Sequence, residues 1–153
     1  MRAKAGIATL VVVLIAAPFV AVQEGVVLRT YSDPIGIPTA CGGETDKAIT
    51  IRKRFTRDEC ISVMGASLYQ HALELDRCIF VPLKENEAAA VLSWGYNVGT
   101  GAACASTLVR KLNAGQPASV WCAELTRWNR AGGRVLPGLV KRRAAERQMC
   151  EGK

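Results

Sequence analysis

The chain has 153 residues, 50% of them hydrophobic, with 20 lysines and arginines against 13 aspartates and glutamates, a net charge of +7. That length fits one domain, or one domain with an appendage, and the apolar share suffices for a core. The basic balance suits an anionic polymer or membrane surface. Nucleic acid is the weakest of the anionic partners, because the charges are spread along the chain and no helix-turn-helix, zinc or RNA-binding signature is present.

The N-terminus begins with two basic residues, Arg2 and Lys4, followed by residues 5–22, AGIATLVVVLIAAPFVAV, which carry no charge. A helix of that length spans about 27 Å, barely a bilayer core, and the preceding cations predict an N-in, C-out orientation. Five alanines, a glycine, a threonine and a proline among these residues make the segment a weak membrane span. A cleaved signal peptide is the competing reading. Cleavage after Ala21 would place Phe19 where a small residue is needed, and cleavage after Ala17 would leave Pro18 behind the cut. Either cut leaves Glu24 close to a frayed end, so an uncleaved anchor is the preferred reading.

Glu24 opens the stretch EGVVLRTYSDPIGIPT, in which Asp33 and Thr39 follow. Two carboxylates brought to one cleft can protonate a leaving group and activate a water, the chemistry that cleaves glycosidic bonds. Residues 25–50 are rich in Gly, Pro and Thr with short β-branched runs, and predict a small irregular sheet of two or three strands. Thr56-Arg57-Asp58-Glu59 is a capping box that opens a long helix reaching about Cys78. Ile61, Met64, Leu68, Ala72 and Leu75 keep helical spacing on its buried face, with Cys60 on the same side. His71 lies off that stripe and is expected at the surface.

Pro82 punctuates the chain before a second helix, Glu85 to Asn97, which is apolar around much of its circumference and expected at the centre of a helical core. Gly99 and Gly101 end it. A third helix runs from Ser106 to Asn113 and stops at Ala114-Gly115. A fourth opens at Pro117 and reaches about Trp128, Ala131-Gly132-Gly133 forms a loop, and a last helix spans Leu136 to Met149. Lys141, Arg142, Arg143 and Arg147 in that helix predict a solvated basic face, with a substrate-facing wall as the sharper alternative. The predicted architecture is α+β, a small β-lobe joined by a long helix to a larger helical lobe with a cleft between them.

Six cysteines, none in C-x-x-C spacing, stand beside a single histidine. A Cys/His zinc site would need four scattered thiolates, so a disulfide framework in an oxidising compartment is the better reading. Cys60 and Cys78 sit about 27 Å apart at opposite ends of one predicted helix, beyond disulfide reach if that helix is continuous. Among the remaining connectivities the favoured set is Cys41–Cys60, Cys78–Cys104 and Cys122–Cys150. The first would tie the β-lobe to the start of the long helix, and the last would tie the final helix to the one before it.

The segments EGVVLRTYSDPIGIPTACGGET, WGYNVGTGAACASTLVRKLNAG, W-N-R-AGG and PGLVKRRAAERQMC together resemble phage lysozymes of glycoside hydrolase family 24, and more closely phage endolysins with a signal-anchor-release N-terminus. The resemblance covers about residues 23–150. It implies a lysozyme-like muramidase domain over 23–153 and a signal-anchor-release segment over 1–22. The enzyme would hydrolyse the β-1,4 bond between N-acetylmuramic acid and N-acetylglucosamine in peptidoglycan and so lyse the host cell. The family triad maps onto Glu24 as general acid, Asp33 as the ionised partner that orients water, and Thr39 as a residue holding that water. Family members often carry Gly-His after the Thr, whereas here Gly43 is followed by Glu44, and the resemblance gives that third carboxylate no role.

The same resemblance implies a monomer held inactive in the host inner membrane, then released to the periplasm when a holin collapses the membrane potential. The anchor would refold as the first helix of the domain and carry Glu24 into place. No cysteine precedes Cys41, which excludes a thiol switch inside the anchor. No metal, organic cofactor or nucleic acid is called for. Two alternatives use other chemistry: a non-catalytic, membrane-tethered peptidoglycan-binding protein, and a lytic transglycosylase, which needs one Glu and no second carboxylate.

Overall fold

The computed structural model describes residues 6–33 and 35–153. Arg2, Lys4 and Ala5 of the N-terminal reading, and Pro34, lie outside the described residues. The first helix, α1, spans Leu10–Glu24. Its N-terminus is held twice. Thr9 Oγ1 accepts the Val12 N–H at 3.2 Å. Asp76, at the C-terminal end of the long helix, accepts from Ile7 N at 2.6 Å and Ala8 N at 3.0 Å. The Thr9 hydroxyl satisfies one N–H that a helix start leaves unpaired, and the Asp76 carboxylate ties down the two residues before the cap.

Val12, Val13, Ala16, Ala17, Val20 and Ala21 form the buried stripe of α1, which packs on two later helices. The small side chains of Ala16 and Ala17 permit close approach. The opposite face is also apolar, with Leu10, Val11, Leu14, Ile15 and Val22 exposed. Pro18 lies on this exposed side, where the carbonyl it leaves unpaired can be met by water. Among the described residues no helix is long and apolar enough to cross a membrane.

After α1 the chain enters the β-lobe. Strands β1 (Tyr31–Ser32) and β2 (Pro38–Thr39) pair antiparallel, with Tyr31 opposite Thr39 and Ser32 opposite Pro38. The expected sheet is thus a two-stranded hairpin, extended by isolated bridges between Arg29 and Arg54 and between Ala40 and Glu44. A short helix, α2 (Lys47–Thr50), completes the lobe, capped by Asp46. Its own small core is Ala40, Cys41, Phe55 and Cys60.

The long helix α3 spans Arg57–Leu75. Its start carries the capping box read from sequence: Glu59 N donates to Thr56 Oγ1, and Thr56 N donates to Glu59 Oε2. Cys60, Met64, Leu68, Ala72 and Leu75 are buried, and Ile61 is partly so. The helical lobe follows as α4 (Glu85–Val98), α5 (Thr100–Cys104), α6 (Thr107–Asn113), α7 (Ala118–Trp121), a 3-10 segment over Cys122–Arg127, and α8 (Pro137–Glu151). α4 is central, in contact with α1, α3, α5 and α8, and residues Glu87–Gly95 are all buried.

The fourth predicted helix is shorter than expected, because the chain tightens to 3-10 geometry at Cys122. The predicted loop at Ala131–Gly133 is the turn of a hairpin between β3 (Arg130–Ala131) and β4 (Arg134–Val135). Cys41 is bonded to Cys60, Cys78 to Cys104 and Cys122 to Cys150. The first links the β-lobe to α3, the second the turn after α3 to α5, and the third the 3-10 segment to α8.

Candidate active site

α1 ends on Glu24, and Gly25 takes the chain out of the helix at φ 66°, a left-handed conformation that glycine adopts without steric cost. The carboxylate at this terminus does not stand alone. Arg142 Nη1 donates to Glu24 Oε1 at 2.6 Å, and Arg142 Nε donates to Glu146 Oε1 at 3.1 Å. Ser93 of α4 donates its hydroxyl to the same Glu146 oxygen at 2.7 Å, and its carbonyl accepts from Arg142 Nη2. Arg143 lies 3.0 Å from Glu146 Oε2 and donates to Asn97 Oδ1. Arg143 Nη1 and Glu146 Oε2 make no well-directed hydrogen bond, so that contact is coulombic.

Two guanidinium groups and two carboxyl groups are therefore interlocked between α1, α4 and α8. Arg142 is 5% exposed, and Arg143 and Glu146 are fully buried. Burial pushes the Glu146 carboxyl above the usual range against the pull of Arg143, Ser93 and Arg142. It also pushes the Arg143 guanidinium below its usual range, with Glu146 opposing. The solvated basic face expected for the last helix is thus corrected for Arg142 and Arg143. Their side chains point inward because buried carboxylates require them. Lys141 is exposed, and Arg147 pairs with Glu151 at 2.7 Å.

Glu24 borders an open cavity of about 310 Å³. The loop contributes Gly42 and Gly43, α3 contributes Ser67 and His71, and α4 contributes Tyr96 and Asn97. Gly42 has φ 80°, and a Cβ there would stand 3.4 Å from the Glu24 Cβ, so the loop backbone lies directly against the acid. A neighbouring cavity of about 400 Å³ shares Asn97 and continues toward Trp128 and Arg130. A roomier one, about 600 Å³, lies by Glu87 and Glu151. There Glu151 is tied to Arg147 and Lys153, and Glu87 caps α4 by accepting from Lys84 N, so no unpaired acid faces it.

Asp33 and Thr39 sit on the β-hairpin and do not border the Glu24 cavity. They are joined to each other through Ile37. Asp33 Oδ1 accepts from Ile37 N at 2.8 Å and from Ile35 N at 2.9 Å, while Thr39 Oγ1 donates to Ile37 O at 3.0 Å. Asp33 Oδ2 takes no hydrogen bond among the described residues. Thr39 is 5% exposed. From Thr39 the chain passes through buried Ala40 and disulfide-bonded Cys41 to Gly42, which brings the hairpin to Glu24. Glu44 Oε1 accepts from Asp46 N at 2.8 Å, a turn-stabilising role.

His71 departs from the surface position expected of it. It is partly buried, and its ring centroid lies 4.8 Å from that of Tyr96. Burial pushes the Tyr96 phenol up, and the charges of Glu24 and Glu44 push it the same way, against a hydrogen bond with Ser67. Sequence reasoning also missed Ser93 and Glu146. The signal available was the spacing of Arg142, Arg143 and Glu146, which places all three on one face of a helix.

The two lobes and the acid-bearing cleft define a lysozyme-like glycosidase fold. Residues 21–146 match the family described as Phage lysozyme. The SAR-endolysin of Enterobacteria phage P21 is 39% identical over 127 residues, covering 83% of this chain and 76% of that protein. The SAR-endolysin of Bacteriophage PS119 is also 39% identical over 127 residues, covering 83% of this chain and 75% of its own. A crystal structure of a P22 lysozyme mutant superposes with a TM-score of 0.81 at 26% identity, over 90% of this chain and 95% of that one. The chain belongs to the phage lysozyme family. It is a muramidase, and peptidoglycan is its substrate.

Proposed function

We propose that this chain is a phage endolysin that cleaves the β-1,4 bond between N-acetylmuramic acid and N-acetylglucosamine, with Glu24 as general acid and Asp33 and Thr39 positioning the attacking water. The observation that carries the reading is the Glu24 carboxyl at the cavity edge, one oxygen held by Arg142 and the other taking no hydrogen bond among the described residues. The free oxygen would deliver its proton to the glycosidic oxygen as the bond to the anomeric carbon breaks. Arg142 would then face the charge left on Glu24. Asp33 would support the positive charge that develops on the sugar and orient a water through Oδ2. Thr39 has its hydroxyl hydrogen committed to Ile37 O, which leaves its oxygen to accept from that water. The water adds to the anomeric carbon and its proton leaves on the Asp33 side.

The same proposal includes control by location. Residues 1–22 would hold the chain as a monomer in the host inner membrane, N-in and C-out, and release it to the periplasm when a holin depolarises the membrane. The segment would then fold as α1. Two features support this. The apolar segment and the helix bearing Glu24 are one stretch of chain, and both SAR-endolysin relatives carry that name.

Turbidity clearing of cell walls by wild type and by Glu24→Gln tests the chemistry. The expected outcome is rapid clearing by the first and loss of at least about a hundredfold in the second. Equal clearing by both would remove Glu24 from the mechanism. Mass spectrometry of the released muropeptides must show an added water, whereas anhydro sugars would mean transglycosylation. Fractionation of infected cells before and after depolarisation tests the anchor, and a chain cut near residue 17 or 21 would overturn it.

A further inference from the structure

The cavity beside Glu24 holds a polar group that the proposed hydrolysis does not use. His71 Nδ1 lies 2.8 Å from the carbonyl oxygen of Ser67, one turn earlier in α3. A carbonyl can only accept, so Nδ1 carries a proton, and in the neutral ring Nε2 is then an acceptor. Nε2 makes no hydrogen bond among the described residues. A bond from a histidine to a carbonyl four residues back is by itself a local helix contact. Three further features make this one more than that.

First, the ring is braced. It lies tilted by 58° against Tyr96 at 4.8 Å between centroids, and its Nδ1 is held by the Ser67 carbonyl. Ser67, His71 and Tyr96 thus form one interlocked group across α3 and α4. Second, all three border the same cavity as Glu24 and Asn97. Third, the loop residues bordering this cavity are Gly42 and Gly43, which bring no side chains into it.

An N-acetylated sugar offers hydroxyl and acetamido N–H donors around its rim and C–H surface on its faces. The wall offers an acceptor set by tautomer and two adjacent rings. We propose that His71 is a substrate-binding residue, whose Nε2 accepts a hydrogen bond from a hydroxyl or acetamido N–H of the glycan while the ring of Tyr96 packs on the sugar face. The assignment rests on the muramidase reading and adds to it a group that touches sugar without moving protons. Glu24, Glu44 and Arg142 are the charged groups that act on this wall, through Tyr96. Their roles are unchanged by it.

His71 is the one histidine in the chain, which makes its ring nitrogens an unambiguous probe. The full chain carrying Glu24→Gln, labelled with ¹⁵N-histidine, is titrated with a trimer of N-acetylglucosamine. The Nε2 resonance is expected to move saturably while Nδ1 stays protonated. An Nε2 signal that stays still while backbone amides of the cleft shift would overturn the assignment. In parallel, His71→Ala in an otherwise wild-type chain is assayed on soluble peptidoglycan fragments. KM is expected to rise about tenfold, equivalent to about 1.4 kcal/mol, with kcat within about twofold. His71→Gln, which keeps an acceptor, should recover part of the difference. An unchanged KM, including the case where the trimer binds too weakly to titrate, or a loss confined to kcat, overturns the proposal. Wild-type lysis persists in each of those outcomes, so they do not touch the muramidase reading, which fails only if the wild type does not clear cell walls.

Discussion

Replacing Arg142 by methionine tests the claim that one buried cation organises the acid. The substitution keeps a long side chain and removes the charge. It leaves Glu24 without its 2.6 Å partner and Glu146, fully buried, with Ser93 and the coulombic contact from Arg143. The network passes from two guanidinium groups to one, against the same two carboxyl groups. Breaking a buried ion pair by removing one partner costs about 3–5 kcal/mol. Arg143 and Ser93 remain beside Glu146, which places the expected loss at the lower end, about 3 kcal/mol. For a domain of this size that corresponds to a fall in Tm of about 6–12 °C.

Urea unfolding at neutral pH gives the number directly. The double variant Arg142→Met/Glu146→Gln neutralises the stranded carboxylate and should be more stable than the single variant by at least about 1 kcal/mol. Lysis should fall about a hundredfold in both, because Glu24 loses the group that orients it. A single variant within 1 kcal/mol of wild type by the same measure, or a double variant no better than the single, would refute the reasoning.

Asp33→Ala should abolish lysis and cost about 1 kcal/mol, since the exposed Ile35 and Ile37 N–H groups exchange their acceptor for water; thermal melts and turbidity together separate the two effects. Glu124 is held below the usual carboxylate range chiefly by Lys111, which donates at 2.6 Å, and also by Arg127. A lowered folded value means that this contribution to stability is present above the unfolded glutamate value and is lost as pH falls through the folded one. Glu124→Gln should therefore flatten the acid limb of the stability profile below about pH 4, read by urea unfolding across pH. Gly95→Ala places a Cβ 2.9 Å from Leu75 Cδ1, where α3 and α4 touch, and should cost about 1–3 kcal/mol by overpacking. A melt unchanged from wild type would mean that Leu75 moves aside freely.

How legible each part was follows from how local its cause is. The start of α3 was readable because the cap is completed within four residues, Thr56 to Glu59, and its buried stripe because periodicity is a property of one segment. Strands of two residues fall below any period-two signal, so the hairpin was expected only as a vague sheet. Arg142 and Arg143 were misread because a run of cations in a helix looks the same whether or not a buried carboxylate awaits it. Glu146 was in plain view four residues on, but Ser93 and Glu24 come from distant segments that folding brings together. His71 shares its cavity with two loop glycines, which carry no pattern of their own, and so its neighbourhood could not be inferred from its helix.

Asp76 holds Ile7 and Ala8 at one end of α1, and Arg142 holds Glu24 at the other. Between those two clasps the helix behaves as a ruler. A slip of one residue would shift Glu24 by about 1.5 Å along the axis and about 100° around it, turning the carboxyl out of reach of Arg142. A Cβ at Gly6 would stand 2.8 Å from Asp76 Oδ2, so the first clasp closes around a residue with no side chain. The docking register of this helix and the placement of the Glu24 carboxyl are therefore a single coordinate.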